Sequence, residues 1–245
     1  MNIIILTEKE QIEKNIYKIS DGRFAHIKNI LKSETGDIVE VGLLNGPTGT
    51  AKIYEINDSE VLLEIINLET NHETFPKVDI ICALPRPQTL KKVLSTCATM
   101  GVSNLYLIRS EKVEKSYFHS PLLEEQNYTK YLIEGLSQGK RTDLPKVTIH
   151  KRFKVFFENL FEEISKNSIC LLAHPSTEYY LNKISFDKQK NIVLAIGPEG
   201  GWNDYETALM KENGFIKFKL SENILRVENA VTAALSQIEL VTNAK

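Results

Sequence analysis

The sequence of 245 residues has little cysteine and no long apolar run. Cys82, Cys97 and Cys170 are widely spaced and form no CxxC pair or Cys/His cluster, which argues against a disulfide framework and a zinc site. No apolar stretch reaches the roughly 18 residues that a membrane-spanning helix needs. The N-terminus shows neither the basic region nor the small-residue cleavage site of a secretory signal. We therefore expect a soluble, cytoplasmic protein that uses no metal and no membrane.

Several signatures of catalysis are also missing. The chain has no GxxxxGKS/T loop, no GxGxxG fingerprint, no HExxH pair and no nucleophile elbow. A cradle for a triphosphate is therefore not indicated, and hydrolysis is poorly supported. Apolar residues at 42% and charged residues at 25% are close to the globular average, which excludes a disordered or fibrous chain.

The net charge of −2 is unevenly distributed along the chain. Residues 1–72 hold 7 basic and 12 acidic residues, whereas residues 86–154 hold 13 basic and 6 acidic residues. A local basic stretch of this kind can steer a polyanion towards the protein. A solvated helix face has the same composition, so both interpretations stay open.

The N-terminal part, residues 1–72, reads as short strands separated by turns, which is typical of a small β-barrel. A helix over Gly22–Leu31 is also predicted, with Phe24, Ile27, Ile30 and Leu31 on one face. A polar segment that ends in proline, Glu69–Pro76, is the predicted linker. The predicted strands are Ile3–Leu6, Ile38–Leu43, Thr50–Ile56 and Val61–Ile66.

Residues 73–245 alternate between strands and helices, which predicts an α/β domain with a mostly parallel sheet. The predicted strands are Val78–Ala83, Leu105–Ile108, Val147–His150, Ile169–Ala173, Ile192–Ile196 and Ile216–Leu220. The predicted helices are Gln88–Met100, Leu122–Ser137, Arg152–Lys166, Asp204–Asn213 and Asn229–Val241. The third of these helices carries an apolar stripe of Phe153, Phe156, Phe157, Leu160, Phe161 and Ile164, which we interpret as core.

A glycine-rich loop, Gly197-Pro198-Glu199-Gly200-Gly201, follows one of the predicted strands directly. Glycine lets a backbone approach a ligand closely, and ligands of open α/β sheets bind at the carboxyl ends of the strands. Glu199 either holds a polar group of a ligand or caps the following helix. The loop is therefore a candidate binding site, with an ordinary strand-to-helix turn as the alternative.

Two further loops follow predicted strands in the same way. Leu220–Ala230 offers Ile224 and Leu225 as apolar walls, and it places Arg226 near Glu228, where a local ion pair is the alternative interpretation. Ala173–Thr177 contains a histidine, which is more often structural than catalytic. Three loops at one edge of a parallel sheet predict a single pocket.

A fourth candidate is Gln138-Gly139-Lys140-Arg141 in the basic stretch. Its side chains could contact phosphates or a base. A solvated helix terminus explains the same residues equally well.

The motifs together resemble the ribosomal RNA small subunit methyltransferase E (RsmE) family, of the SPOUT class. That family has a G-P-E-G-G loop, which matches Gly197–Gly201, and an L-G-x-R-I-L-R-x-E-T-A segment, which matches Leu220–Ala230. A Q-x-x-R element followed by P-x-V matches the segment from Gln138 to Val147. A weaker match, H-x-x-x-V-L-R followed by G-D, covers His26–Lys32 and Gly36–Asp37.

The resemblance implies a fold, a cofactor and partners. Residues 1–72 would form a PUA-like β-barrel that helps to bind RNA, and residues 73–245 a trefoil-knotted α/β domain that binds S-adenosylmethionine. The protein would be a homodimer that acts on ribosomal RNA or the small ribosomal subunit. Residues implied to hold the cofactor are Ala173, His174, Pro175, Ile196, Gly197, Glu199, Gly200, Leu220, Ser221, Ile224 and Leu225.

The implied reaction is methylation of N3 of a uridine in small-subunit ribosomal RNA. The proton on N3 must leave as the methyl group arrives, so Arg226 is the candidate stabiliser of the deprotonated imide and Glu228 a candidate base or orienting group. The target base must be unstacked to reach a pocket. The candidate RNA-binding residues are Arg23, Lys32, Arg86, Gln138, Lys140 and Arg141.

The sequence departs from the family pattern next to these residues. Ser221 stands where the family has glycine, and Asn223 stands where it has arginine. Val227–Asn229 replaces a segment that carries threonine. These departures leave the target nucleotide open, and they motivate the alternative of a non-catalytic RNA-binding factor in ribosome assembly.

Overall fold

The computed structural model describes residues 2–70, 76–187 and 189–243. The chain divides into two compact units. The first comprises Met1–Glu73 with Ile133–Leu144, and the second comprises Thr74–Leu132 with Pro145–Lys245. The predicted division at residues 72 and 73 therefore differs from the structure in the placement of residues 133–144. The predicted linker lies largely outside the described residues, and its first position, Glu69, ends a strand.

Hydrogen bonds explain why residues 133–144 belong to the first unit. The backbone N–H of Ile3 donates to the carbonyl of Ser137 at 3.2 Å, and the N–H of Asn45 donates to the carbonyl of Thr142 at 2.8 Å. These partners are about a hundred residues apart in the chain. Local patterns of hydrophobicity and turns carry no signal for such pairings, so the sequence predicted one continuous C-terminal domain.

The first unit contains a six-stranded sheet in the order β1-β4-β5-β6-β3-β2. The β1–β4 pair is parallel, and the other pairs are antiparallel. Side chains from β1 and from β3 to β6 share one hydrophobic core. The short strands β2 and β3 were not predicted. All three residues of β2 are exposed, so its burial does not alternate along the strand. The strands are β1 (Ile4–Leu6), β2 (Gln11–Glu13), β3 (Ile16–Ile19), β4 (Ile38–Leu43), β5 (Thr48–Ile56) and β6 (Val61–Glu69).

The predicted helix of this unit is an α-helical turn, α1 (Gly22–Ala25), that continues as a π-helix over His26–Leu31. Ile27 is buried, as predicted, but Ile30 and Leu31 are 68% and 47% exposed. The prediction that these residues share one helical face with Ile27 was wrong, because a π-helix has more residues per turn than an α-helix. The 3.6-residue spacing therefore does not apply after Ala25.

The second unit is built on a six-stranded sheet in the order β12-β10-β11-β7-β8-β9. All of its strand pairs are parallel, which confirms the predicted α/β class. The central strands are almost fully buried, because the connecting helices cover the sheet. The strands are β7 (Val78–Ala83), β8 (Val102–Ile108), β9 (Lys146–His150), β10 (Ser168–Ala173), β11 (Asn191–Ile196) and β12 (Ile216–Phe218).

Two of the helices show why the chain forms them where it does. The helix α6 begins with a capping box: the Glu206 N–H donates to Asn203 Oδ1 at 2.7 Å, and the Asn203 N–H donates to Glu206 Oε2 at 2.9 Å. The last helix, α7, buries its apolar face and packs against α2. No helix in the described ranges is long and apolar enough to cross a membrane. The helices are α2 (Pro87–Thr99), α3 (Glu125–Gly139), α4 (Phe153–Asn159), α5 (Phe161–Ser165), α6 (Asp204–Glu212) and α7 (Val227–Asn243).

The helix predicted over Arg152–Lys166 is broken at Leu160 into α4 and α5. Phe156, Phe157 and Phe161 are buried, so the core interpretation of the stripe is confirmed for them. Leu160 is 40% exposed, because its φ of −122° and ψ of −29° take the chain out of regular α-helical geometry. The prediction was wrong at this point because it continued the helical periodicity through Leu160.

Candidate active site

Three loops of the second unit meet at one edge of its sheet. β10 lies between β11 and β12, and all three strands are parallel, so the loops that follow them emerge side by side. They surround a cavity of about 340 Å³. All eleven residues predicted to hold a cofactor line it: Ala173, His174, Pro175, Ile196, Gly197, Glu199, Gly200, Leu220, Ser221, Ile224 and Leu225.

The cavity has mainly apolar walls and few polar groups. Ile196, Leu220 and Leu225 contribute aliphatic side chains, while Glu199 and Ser221 contribute polar ones. Its volume is within the range of about 300–1,000 Å³ that is typical of small-molecule sites. The arrangement suits a ligand with a partly apolar body.

The glycines of the loop after β11 allow close packing around the cavity. A Cβ atom on Gly197 would lie 3.1 Å from the indole nitrogen of Trp202, so the absence of a side chain lets the ring pack on the backbone. Gly201 has a φ of +70°, a conformation that favours glycine. The predicted ordinary turn thus accounts for Gly201, whereas Gly197 is explained by the packing of Trp202.

Two basic side chains hold this loop from neighbouring strand ends. Lys112 Nζ donates to the carbonyl of Gly200 at 2.9 Å, and Arg86 Nε donates to Glu199 Oε1 at 3.3 Å. Glu199 therefore pairs with Arg86 instead of capping the next helix, whose cap is Asn203. Its side chain also lines the cavity.

His174 has the structural surroundings that its sequence context suggested. Its backbone N–H donates to the carbonyl of Phe218 at 3.0 Å, and its Nδ1 accepts from the N–H of Ser176 at 3.1 Å. Burial lowers the pKa of His174, and the positive charges of Lys217 and Lys112 lower it further. The ring is therefore uncharged at neutral pH and helps to close one wall of the cavity.

The two candidate catalytic residues lie just beyond the apolar wall. Arg226 is exposed and stands between Leu225 and Val227, which both line the cavity. Glu228 lies in the first turn of α7, and its carboxylate pairs with Lys92 Nζ at 3.2 Å. A hydrogen bond from its own backbone amide lowers the pKa of Glu228, as do Lys92 and Arg226. A carboxylate with a lowered pKa is a weak base, which favours the orienting interpretation of Glu228.

The predicted RNA-binding residues are divided between the units. Arg23 belongs to the first unit, is largely buried, and bonds Asp21, Glu10 and the carbonyl of Ile5, so it has a structural role there. Lys32, Gln138, Lys140 and Arg141 also belong to the first unit. Arg86 belongs to the second. The basic stretch of residues 86–154 is therefore not a single surface of one unit.

Lys140 is held by a partner in its own unit. Its ammonium group pairs with Glu40 at 2.5 Å, and its backbone has a φ of +54°. The backbone carbonyl of Gln138 accepts a hydrogen bond from Asn2 Nδ2 at 2.8 Å. Gln138 is an exposed residue. Lys32 is exposed at the C-terminal end of the π-helix.

The sequence pattern did not indicate two residues that shape the site. Trp202 directly follows the glycine loop and is the one tryptophan of the chain, so its position was a usable signal. Lys112 is 88 residues away from Gly200, and no local pattern connects them. The lining residues beyond the predicted set are Pro198, Gly201, Trp202, Asn223, Val227 and Ala230.

The three cysteines are buried and unbonded. Burial raises the pKa of Cys82 to about 12 and that of Cys170 to about 11. Their thiols are therefore protonated at neutral pH and serve packing rather than nucleophilic chemistry. In the described part of the chain, no group of three or more His, Cys, Asp or Glu side chains is arranged to hold a metal ion.

The parallel sheet and the three-loop cavity belong to a chain whose class is identified by its similarity to known proteins. Residues 72–239 match the model of the RNA methyltransferase domain family. Since this match covers well over half of the chain, the protein belongs to that family.

Curated relatives extend the similarity over almost the whole chain. The chain is 28% identical over 244 residues to ribosomal RNA small subunit methyltransferase E of Treponema pallidum, covering 97% of this chain and 90% of that protein. It is 29% identical over 234 residues to ribosomal RNA small subunit methyltransferase E 1 of Borreliella burgdorferi, covering 96% and 95%. The resemblance that the loop motifs indicated is thereby confirmed.

A solved structure shows the same fold. The structure of ribosomal RNA small subunit methyltransferase E from Neisseria gonorrhoeae, bound to S-adenosylmethionine, superposes with a TM-score of 0.77. The alignment covers 98% of each chain at 18% identity. At 18% identity, this likeness shows the fold alone.

Proposed function

We propose that this RNA methyltransferase transfers a methyl group from S-adenosylmethionine to N3 of a uridine in small-subunit ribosomal RNA. The observation that carries the proposal is the cavity formed by the loops after β10, β11 and β12 in a chain of the RNA methyltransferase domain family. The names of the relatives support a ribosomal substrate, and the Neisseria protein binds S-adenosylmethionine. A ribosomal substrate implies a cytoplasmic protein.

The residues of the cavity fit S-adenosylmethionine. Its adenosine part matches the aliphatic walls and the glycine backbone, which can approach a flat ring closely. Its sulfonium cation matches a site whose charged lining residue is a carboxylate, Glu199. When bound, the cofactor supplies a methyl group on an electrophilic sulfur. Ala173–Pro175, Ile196–Gly200 and Leu220–Leu225 would hold it.

The chain's own contribution to the reaction is to stabilise charge on the target base. Methyl transfer to N3 of uridine would leave S-adenosylhomocysteine as the product. The proton of N3 would pass to solvent, and negative charge develops on the imide. We assign the stabilisation of that charge to the guanidinium of Arg226, an exposed residue that stands in the chain between Leu225 and Val227, which line the cavity. Glu228 pairs with Lys92 at the start of α7 and orients this region, while its lowered pKa makes it a poor proton acceptor.

A basic edge on the second unit supports binding of the RNA beside the cavity. Arg86 follows β7, Arg109 follows β8, and Lys151 and Arg152 follow β9, the three strands next to the cavity half of the sheet. The Arg109 N–H donates to the carbonyl of His150 at 2.9 Å, which holds two of these strand ends together. Within the described residues, Arg109, Lys151 and Arg152 form no ion pair, so their charges can meet phosphates.

The finer features of the fold are part of the same proposal. A PUA-like barrel is supported by the shared core of β1 and β3 to β6 in the first unit. A trefoil knot is supported by the path of the chain from the edge strand β12 back to α7, which packs against α2 and β11. A homodimer is supported by the exposure of Ile224 and Leu240, which are apolar. Lys32, Gln138, Lys140 and Arg141 remain candidate RNA contacts of the first unit.

Titration of the protein with S-adenosylhomocysteine is expected to show one site per chain by calorimetry. Nucleoside mass spectrometry should then show that 3-methyluridine is missing from the ribosomal RNA of a deletion strain and present in its parent. No binding at millimolar ligand would contradict the proposal. A different missing nucleoside would correct the target, and binding with no missing nucleoside would favour a non-catalytic assembly factor, the alternative that the departures at Ser221 and Asn223 motivate.

Replacing Arg109, Lys151 and Arg152 together with glutamine is expected to weaken RNA binding and its salt dependence. Each lost phosphate contact lowers the slope of log K against log salt by about 0.7–1, so the loss of three contacts should lower the slope by about 2–3. Filter binding of small-subunit ribosomal RNA at several salt concentrations measures this slope. The matched control replaces Lys77, Lys166 and Lys190, which precede β7, β10 and β11 at the opposite edge of the sheet. Equal effects of the two triple variants would exclude the basic edge as the RNA contact.

A further inference from the structure

A cluster of three polar side chains lies next to the cavity but does not line it. Lys219 Nζ pairs with Glu222 Oε2 at 2.8 Å, and the hydroxyl of Tyr180 donates to the other oxygen of the same carboxylate. The ammonium group also lies 5.8 Å from the centre of the Tyr180 ring. Each of the three groups thus contacts the other two.

The cluster joins two of the three loops that form the cavity. Tyr180 belongs to the segment after β10, and Lys219 and Glu222 belong to the segment after β12. The backbone repeats the connection, because the Lys219 N–H donates to the carbonyl of Tyr179 at 2.7 Å and residues 180 and 219 form a parallel bridge. The two segments are held together immediately before the apolar wall begins at Leu220.

The wall itself has few other attachments. Gln237 Nε2 donates to the carbonyl of Leu220 at 3.0 Å, and the N–H of Asn223 donates to Ser221 Oγ at 3.1 Å. Ile224 is 87% exposed. The side chain of Lys219, by contrast, is only 11% exposed, so it is the best-buried member of the cluster. The Glu222 carboxylate therefore ties the middle of the wall to the unit, while Gln237 holds its first residue.

We propose that the Lys219–Glu222–Tyr180 cluster is a positioning device that holds the Leu220–Leu225 wall in its binding conformation before the cofactor arrives. The inference rests on the proposed function, since the ligand of the cavity is S-adenosylmethionine. A wall that is ordered in advance does not lose conformational freedom on binding, so the cofactor binds more tightly. Tyr180, Lys219 and Glu222 act through the wall and make no contact with the reacting atoms.

The test uses Glu222→Gln, which keeps the size of the side chain and removes its charge. We expect the Kd for S-adenosylhomocysteine to rise about 2- to 5-fold, because the ion pair is lost and the 73% exposed side chain of Glu222 is screened by water. Trp202 is the one tryptophan of the chain and lines the cavity, so its fluorescence reports binding directly. In methylation assays KM for the cofactor should rise while kcat at saturating cofactor stays the same, since the reacting groups are intact.

Tyr180→Phe is the second variant, because it removes only one hydroxyl and retains the ring. It should raise the Kd by a smaller factor, and the double variant should bind about as weakly as Glu222→Gln alone, since both remove one connected unit. The matched control is Glu178→Gln: Glu178 acts electrostatically on Lys219 and Tyr180, and its removal changes the net charge equally. Its Kd should be unchanged.

Three results of the binding measurements would overturn the inference while leaving the proposed function intact. They are an unchanged Kd in Glu222→Gln, an equal rise in Glu178→Gln, and strictly additive effects of the Glu222 and Tyr180 variants. A fall in kcat without a rise in KM would also overturn it, because it would place the cluster in the chemical step. If the native protein itself does not bind S-adenosylhomocysteine, the proposed function fails first.

Discussion

Replacing Arg226 with glutamine is expected to lower the rate of methyl transfer by about 10²- to 10³-fold, the effect of removing one donor that stabilises a developing negative charge. Arg226 is exposed beside the cavity and outside its lining, so the affinity for S-adenosylhomocysteine should change little. Single-turnover kinetics at saturating cofactor measure the chemical step. The deficit should shrink as the pH rises, because hydroxide then helps to deprotonate N3 of the uridine.

Two further variants distinguish charge stabilisation from other roles. Arg226→Lys keeps the positive charge but loses the planar guanidinium, so it should retain part of the rate. Glu228→Gln should have a much smaller effect than Arg226→Gln, because the lowered pKa of Glu228 makes it a weak base. If Glu228→Gln proved the more damaging change, Glu228 would be the base and the assignment of Arg226 would be wrong.

Replacing Phe156 with alanine is expected to lower the free energy of unfolding of the second unit by about 3–5 kcal/mol. Phe156 is almost fully buried, and its ring centre lies 4.8 Å from that of His150, 5.3 Å from that of Phe157 and 5.7 Å from that of Tyr106. Its removal therefore opens a cavity between α4 and the sheet. Urea unfolding followed by the fluorescence of Trp202 isolates the second unit, because that unit contains the one tryptophan.

The control for this experiment is Leu160→Ala, in the same predicted stripe. Leu160 is 40% exposed at the break between α4 and α5, so its truncation should cost less than about 1 kcal/mol. A regular helix over Arg152–Lys166 would bury Leu160 with the phenylalanines. Similar losses of stability in the two variants would therefore show that Leu160 is buried and that the helix is uninterrupted.

Patterns in the sequence predicted those parts of the molecule that depend on neighbouring residues. The strand Val78–Ala83 and the helix Asn229–Val241 each reflect a pattern of burial within a single element, and both elements are confirmed. The cavity-lining residues were also predicted, because loops that follow adjacent parallel strands emerge at the same edge.

The features that could not be predicted depend on contacts between distant residues or on departures from regular geometry. The π-helix exposes Ile30 and Leu31, and no composition signal marks it. Lys112 reaches Gly200 only because β8 and β11 end at the same edge of the sheet. Glu228 is near Arg226, as expected, because the charge of Arg226 lowers the pKa of Glu228. The sequence did not indicate that α2 also brings Lys92 to the same carboxylate.

The first unit is built from two separate stretches of chain, and this affects how it can be exchanged between genes. A single recombination point near residue 73 would separate Asn45 and Ile3 from their backbone hydrogen-bond partners, Thr142 and Ser137. A module that can be transferred between genes has to be continuous in sequence, and this one is not. Exchange of the first unit with another protein would need two simultaneous recombination events, so we expect the two units to share one evolutionary history.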